Sequence, residues 1–445
     1  MNLERIQRGL VAAVAATCLV SIFAAEIFLA LAVLTYLARL VRGSARLEHL
    51  PLDGPLLAFA VWSILSAAFA PDPLVAHRSV KQLVLFSLFY LAVDTLRDEE
   101  ARERVVDAAL LGGLVLATGA ILQYCFLGFD TLQHRPRSFL GHYMTAAGLV
   151  MGVLLVAAAR LAFRRGPRPR PSARDLRAFA VVGGALAVLT LLQSADLFAV
   201  EAERLFVAAL SATAASLVLS RGPWPDRNTG ALLAILAVPI STAALLVSLT
   251  RNAWLGTLAG LVTLAFLRAP KALWLLPAGA AALLALGPQR VLGRLTLTDA
   301  SSRDRYYMWQ AGVDMIRDKP VFGQGPRMIQ AVYPAYRWPE APNPRTPHLH
   351  NNALQIAAER GLPALAWWLW MVAAVLGDAW RELRRGAFGP GWAAAAAFAL
   401  LVAVLVAGLF EYNFGDSEIL MFLLLVSSLP YALRRQRAGA AAAPA

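Results

Sequence analysis

Charged side chains are scarce in this chain: Asp, Glu, Lys and Arg together supply 16% of its 445 residues. Soluble domains carry about 25% charged residues and about 45–50% apolar ones, whereas this chain is 59% hydrophobic. Only two cysteines occur, Cys18 and Cys125, and both lie in or beside apolar segments. This usage argues against a disulfide framework and against a cysteine metal cluster. The composition is not that of a soluble domain.

Long apolar runs are what the chain has instead. Many windows of about 20 residues carry almost no charge, which is typical of transmembrane helices. Isolated strands would leave backbone groups unpaired in lipid, and the runs are too long for barrel strands. The sequence therefore predicts an all-α fold, a polytopic transmembrane helical bundle. The first apolar run, after Arg8, continues directly into a second, so we expect a retained signal-anchor rather than a cleaved signal.

The apolar runs predict fourteen spans. They cover 9–23, 26–41, 54–70, 78–96, 104–127, 139–163, 177–194, 203–220, 229–249, 252–267, 271–286, 363–380, 392–411 and 416–433. Charged residues lie between the seventh and eighth of these runs, so twelve spans are the alternative. The predicted organisation is about eleven spans over 1–286, a catalytic loop over 287–362, three spans over 363–434 and a disordered cytoplasmic tail over 435–445.

The net charge of +13 comes mainly from short loops between apolar segments. The positive-inside bias produces this placement, so membrane lipids are the expected partners and nucleic acid is not. With a cytoplasmic amino terminus, the loop charges alternate along the chain and place the 287–362 loop outside. Arg135, Arg137 and Arg251 then lie outside as well, against the bias. The arginine fork suits phosphate oxygens, which indicates an anionic ligand. Contact with lipid headgroups is the alternative.

The long loop has two helical stretches joined by a glycine turn. Tyr306 and Trp309 begin an apolar stripe that continues through Val313 and Ile316 and ends before Pro320. Arg305 stands four residues before Trp309, so the two can share a helix face. The following PVFGQGP segment favours a tight turn, and phosphate binding by its GxG is the less favoured interpretation. A second stretch over 328–338 carries aromatic residues suited to sugar rings or to a membrane interface.

The segment PNPRTPHLHNNALQIAAERGLPAL carries His348 and His350 just before a helix that Asn351 or Asn352 can cap and Gly361 can end. Histidines at this position can pack structurally, bind a metal or transfer a proton. The His-x-His pair has no nearby cysteine or acidic cluster to complete a tetrahedral set, which argues against metal. Proton transfer fits better, because imidazole titrates near working pH.

The order of three motifs carries a resemblance. They are T-R-N-A-W-L-G, then R-x-x-x-W followed by P-V-F-G-Q-G-P, then H-x-H-N-x-A-L followed by E-R-G-L-P-A-L. The chain resembles the O-antigen ligase and polymerase superfamily of the bacterial inner membrane, with specific motifs within about 130–145, 248–256 and 303–365. The resemblance implies a GT-C-like glycosyltransferase with its active site facing the periplasm. It further implies an undecaprenyl-diphosphate-linked glycan as donor, and neither metal nor other cofactor.

Site residues follow from the resemblance position by position. His350 matches the family histidine that precedes Asn, and Arg305 matches the arginine four residues before Trp. Arg251 matches the arginine of an S-R-G-A-W-like motif, in which this chain has Thr and Asn beside it. Arg135 or Arg137 matches an arginine before a small-residue turn, and the choice between them stays open. His348, Asn351 and Tyr306 are assigned supporting roles.

The resemblance implies a chemistry in which the arginines neutralise the departing lipid diphosphate. His350 would take the proton of an acceptor hydroxyl as it attacks and inverts the anomeric carbon; a hydrogen bond from His350 to the diphosphate is the alternative. The expected function is transfer of O-antigen to lipid A–core. The alternatives are an O-antigen polymerase and a protein O-oligosaccharyltransferase. A flippase, the candidate of another class, would place polar residues at mid-membrane, which these spans largely lack.

Overall fold

The computed structural model describes residues 2–46, 49–163, 227–268, 270–274, 300–385 and 391–442. Helices dominate these ranges, and no strand occurs within them. The predicted all-α fold is therefore confirmed. The predicted spans 177–194 and 203–220 lie outside the described residues, as does nearly all of the predicted span 271–286.

The helices, numbered in chain order, are α1 (Leu3–Thr17), α2 (Ile22–Val41), α3 (Asp53–Ala68), α4 (Pro73–His77), α5 (Ser87–Thr95), α6 (Glu99–Phe126), α7 (Tyr143–Phe163), α8 (Arg227–Val247), α9 (Arg251–Arg268), α10 (Ala300–Asp318), α11 (Ile329–Tyr336), α12 (Asn352–Arg385), α13 (Gly391–Ala407) and α14 (Ser417–Ala442). Short 3-10 helices cover Val80–Phe86, Pro270–Trp274 and Asn413–Gly415.

Six of these helices are long and apolar enough to cross a membrane. The segments are Ile22–Val41, Glu99–Phe126, Tyr143–Phe163, Gly230–Val247, Asn352–Arg385 and Ser417–Arg437. Helices α3 and α13 are apolar but shorter. The chain is a multi-pass helical membrane protein. Two elements depart from the predicted bounds: the 78–96 run is a 3-10 helix followed by α5, and α14 stays helical to Ala442, where the sequence predicts a disordered tail.

Helix α7 lies at the centre of the bundle, packed by α6, α8, α9 and α13. Small residues allow this close packing: a Cβ on Gly152 of α7 would meet the ring of Phe422, and one on Gly256 of α9 would meet the carbonyl oxygen of Ala403. Lipid tails supply no hydrophobic drive between helices, so close van der Waals contact of this kind stabilises membrane bundles.

Hydrogen bonds join the loops that precede α7, α9, α12 and α14 at one end of the bundle. Thr145 Oγ1 donates to Asp416 Oδ2 at 2.9 Å, which joins the beginnings of α7 and α14. The N–H of Asn352 donates to the carbonyl of Gly408 at 2.8 Å, which joins the beginning of α12 to the end of α13. We call this the site end. The opposite end contains ion pairs, among them Arg39–Asp94 at 2.6 Å.

A backbone break in α12 anchors the long loop to the bundle. Gly361 has φ 80° and ψ 169°, which interrupts the helix where the sequence predicts it to end. The PVFGQGP turn docks on this break: the N–H groups of Gln324 and Gly325 donate to the carbonyls of Ala358 and Glu359, both at 2.8 Å. A Cβ on Gly361 would overlap the carbonyl oxygen of Val321. These glycines allow the two backbone segments to approach closely, so packing accounts for the glycines of the turn.

Candidate active site

The segment that carries the two histidines is held by hydrogen bonds to two different helices. Leu349, between them, is fully buried; its N–H donates to Gln355 Oε1 at 2.7 Å and its carbonyl accepts from Trp309 Nε1 at 3.1 Å. Asn351 Oδ1 accepts from the N–H of Leu354 at 3.0 Å, so Asn351 caps α12. His350 takes the left-handed conformation, with φ 50°, a strained conformation for a histidine that the surrounding contacts must hold.

His350 pairs with a carboxylate from a distant part of the chain. Its Nδ1 lies 2.9 Å from Oε2 of Glu411, in the loop between α13 and α14. Nδ1 of His348 lies 3.5 Å from Oε1 of the same residue, and the two imidazole centroids are 4.2 Å apart. Glu411 is only 4% exposed. We call these three residues the imidazole–carboxylate cluster.

Electrostatics fix the protonation of two members of the cluster. Burial alone would raise the pKa of Glu411, but the hydrogen bond and charge of His350 outweigh it and lower that pKa to about 2. Burial lowers the pKa of His348 to about 4; Glu411 opposes this shift and Arg305 adds to it. At neutral pH Glu411 is therefore ionised and His348 is neutral. A neutral His350 would donate Nδ1–H to Glu411 and keep Nε2 free to accept a proton.

The cluster also revises one step of the sequence argument. Metal was disfavoured because no acidic residue stood near the His-x-His pair in sequence, and Glu411 is such a residue in space. The ligand atoms of the three side chains lie within 4.8 Å of one another, close enough to hold a metal ion. Two imidazoles and a carboxylate also suit zinc. The sequence reasoning did not include Glu411, and the absence of metal stays a prediction.

Three of the predicted arginines come from separate segments that contact one another at the site end. Arg305, on α10, is close enough to His348 to lower the pKa of that imidazole. Arg251, at the beginning of α9, lies 3.5 Å from Ser302 Oγ on α10. Arg135 NH1 lies 3.5 Å from the carbonyl of Leu249, just before α9. Positive charge from three parts of the chain thus gathers on the side of the bundle that carries the cluster.

The two candidate arginines before α7 have different surroundings. The guanidinium of Arg135 lies 4.4 Å from the ring centroid of Tyr143 and acts electrostatically on His142. The pKa of His142 is lowered, first by burial, and His142 also senses Glu411 and His350. Arg137 is exposed, and its side chain reaches the carbonyl of Gly141 at 3.3 Å. The structure thus connects Arg135, rather than Arg137, with the cluster.

The predicted position of Tyr306 on the apolar face is wrong. Tyr306 was expected on the apolar stripe of α10, but it is 55% exposed. The buried face of α10 is instead formed by Met308, Ala311 and Met315, because these positions face α11 and the beginning of α12. Trp309 is half-buried beside this face and does reach the histidine segment.

Sequence reasoning missed Glu411 and His142. Glu411 begins the segment EYNFGDS, which joins the predicted spans 392–411 and 416–433. The alternation of loop charges predicts the same side of the membrane for this segment as for the long loop, and that was the signal available. No spacing rule pairs Glu411 with a histidine 61 positions earlier. His142 stands in SFLGHYM, the segment that directly follows Arg137, but nothing there relates it to the cluster.

The fold and the cluster define a class: a polytopic helical membrane protein with a titratable, arginine-flanked site at one end of its bundle. Residues 233–369 match a family model described as O-antigen ligase. The matched range includes Arg251, Arg305, His348 and His350. This finding confirms the predicted resemblance and supports membership of the O-antigen ligase/polymerase family. No curated protein matches the chain.

Proposed function

We propose that this protein transfers O-antigen polysaccharide from undecaprenyl diphosphate to the lipid A–core of lipopolysaccharide. The reaction would take place at the periplasmic face of the bacterial inner membrane, in a GT-C-like fold. The observation that carries the proposal is the pairing of His350 with Glu411, at 2.9 Å, on the side of the bundle where three arginines gather. A base beside fixed positive charge suits transfer from a lipid diphosphate.

The chemistry assigns one task to each group. An acceptor hydroxyl attacks the anomeric carbon of the donor sugar, the bond from that carbon to the diphosphate oxygen breaks, and the carbon inverts. Nε2 of His350 takes the hydroxyl proton, a transfer worth about 10²–10⁴-fold in rate. Arg135, Arg251 and Arg305 stabilise the charge that grows on the diphosphate. Preorganised donors of this kind contribute about 2.7–4 kcal/mol each.

Ligation is favoured over other uses of the same donor. The acceptor lipid A–core is itself a membrane amphiphile, and a bundle of apolar helices can admit it from the bilayer. The long loop is compact within its described part, where α10 and α11 pack on the beginning of α12. A polymerase would lengthen the lipid-linked glycan instead, and a protein O-oligosaccharyltransferase would modify a protein hydroxyl.

The test is reconstitution of the purified protein in lipid vesicles with lipid-linked O-antigen and rough lipopolysaccharide. The expected product is a ladder of capped lipopolysaccharide on a gel. The His350→Ala variant should bind the lipid donor but transfer at least about 10²-fold more slowly. His77→Ala is the matched control, because that imidazole is exposed on α4 and bonds its own helix. Lengthening of the lipid-linked donor alone would show a polymerase, and near-normal transfer by His350→Ala would refute the base assignment.

A further inference from the structure

We infer that Glu411 is the positioning residue for His350: it fixes the imidazole with Nε2 toward the acceptor hydroxyl and balances the positive charge that the imidazole gains during transfer. This role rests on the proposed function of His350 as a base. Nothing in the sequence motifs or in the family match assigns it, because Glu411 lies outside the matched residues 233–369.

Both carboxylate oxygens of Glu411 are held. Oε2 is 2.9 Å from Nδ1 of His350. Oε1 accepts the N–H of Tyr412 at 3.0 Å and lies 3.5 Å from Nδ1 of His348. A buried carboxylate fixed at both oxygens cannot rotate away, so the His350 ring is held in one orientation. This is the arrangement in which a base is itself oriented by a third group.

Behind this pair, a chain of hydrogen bonds returns to the histidine segment. The half-buried side chain of Tyr412 bonds Arg360, and Arg360 NH1 lies 2.5 Å from Glu359 Oε2. Glu359 Oε1 accepts from Gln355 Nε2 at 2.8 Å. The other end of the Gln355 amide accepts the N–H of Leu349, next to His350. The loop with Glu411 and the loop with His350 are therefore fixed relative to each other.

The charge balance gives Glu411 its second task. His350 is coupled directly to His348, Glu411 and His142. Those three groups are in turn coupled to Arg305, Asp416 and Arg135, respectively. Arg135 and Arg305 are cations, and protonation of His350 adds a third positive charge. Burial raises the pKa of Asp416 to about 7, so this carboxyl is only partly ionised at neutral pH. Glu411 is the fully ionised carboxylate of the group, and it contacts His350 directly.

The first experiment compares Glu411→Gln with the wild type over a range of donor concentrations, so that kcat and KM separate. Glutamine keeps the shape and a hydrogen-bonding oxygen but loses the charge, so the positive charge that His350 gains during transfer has no ionised partner. We expect kcat to fall by about 10²-fold or more, with KM little changed. Glu411→Asp, which retains the charge, should recover part of kcat.

Two further variants separate positioning from folding. Tyr412→Phe removes the bond to Arg360 but leaves the carboxylate, so kcat should fall less than in Glu411→Gln. Glu340→Gln removes an exposed carboxylate of the long loop and should change neither kcat nor KM. Donor binding and elution as a monodisperse peak in detergent show whether each variant folds.

Several results would overturn the inference. They are a Glu411→Gln variant of near-normal rate, a Glu411→Gln variant in which KM alone changes, a Glu411→Asp variant as inactive as Glu411→Gln, and loss of wild-type transfer on chelation of metal. If the wild type lengthens the lipid-linked donor rather than capping lipopolysaccharide, ligation is wrong. The same comparison of kcat on that product then still decides the role of Glu411.

Discussion

The two arginines before α7 give a matched pair for the sharpest test of diphosphate binding. Arg135 is half-buried, lies 4.4 Å from the Tyr143 ring centroid and reaches the carbonyl of Leu249. Arg137 is exposed and bonds Gly141, four residues along. If Arg135 stabilises the departing diphosphate, Arg135→Ala loses about 2.7–4 kcal/mol, a fall of about 10²–10³ in kcat. Arg137→Ala should stay within about 0.5 kcal/mol, a factor of about two.

The assay is the initial rate of glycan transfer in vesicles, measured over a range of donor concentrations so that kcat and KM separate. Arg135→Lys keeps a point charge without the planar fork and should recover part of kcat. Equal losses in Arg135→Ala and Arg137→Ala, or a larger loss in Arg137→Ala, would refute the assignment. A change in KM alone would mean that Arg135 binds the donor without favouring the transition state.

Further outcomes follow from the helix break and from the cluster. Gly361→Ala places a Cβ against the carbonyl of Val321 at a positive φ. Tm in detergent should therefore fall well below that of Gly9→Ala, whose added Cβ meets no atom within 4 Å. Similar Tm values would contradict the docking of the PVFGQGP turn on the break at Gly361. The pKa of His348 is lowered from 6.5 to about 4. The contribution of neutral His348 to the free energy of unfolding is thus present above pH 6.5 and is lost as pH falls toward 4. His348→Asn should therefore gain in Tm relative to wild type as pH drops through that window, and a constant difference would contradict the shift. A chelator should leave transfer unchanged, whereas added zinc should inhibit by occupying the imidazole–carboxylate cluster; activation by zinc would contradict the metal-independent mechanism.

Much of the fold could be predicted because lipid constrains sequence so strongly. Apolar runs predicted ten of the described segments to within a few residues at most ends, and Gly361, with its positive φ, marked the end of a helix. The predicted bounds were wrong where an apolar run did not form a single α-helix. The 78–96 run contains a 3-10 helix whose Gln82 side chain donates to the carbonyl of Gly415 at 2.9 Å, a tertiary contact that hydropathy does not encode.

The candidate site was predictable only in part, and for a physical reason. His350 and Arg305 stand in local motifs, and the loop charges place them on one side of the membrane. Tyr306 was misplaced because helical spacing alone does not say which face of α10 meets α11. Glu411 was missed because its partner is distant in sequence, and only the packing of α12 against α13 brings them together.

The position of Glu411 has a consequence for biosynthesis. The carboxylate that holds His350 lies between α13 and α14, and Asp416 joins the beginning of α14 to Thr145 of α7. A nascent chain therefore exposes His350 before Glu411, 61 residues further on, has been translated. On the proposed mechanism, truncation before Glu411 would abolish transfer as completely as loss of His350.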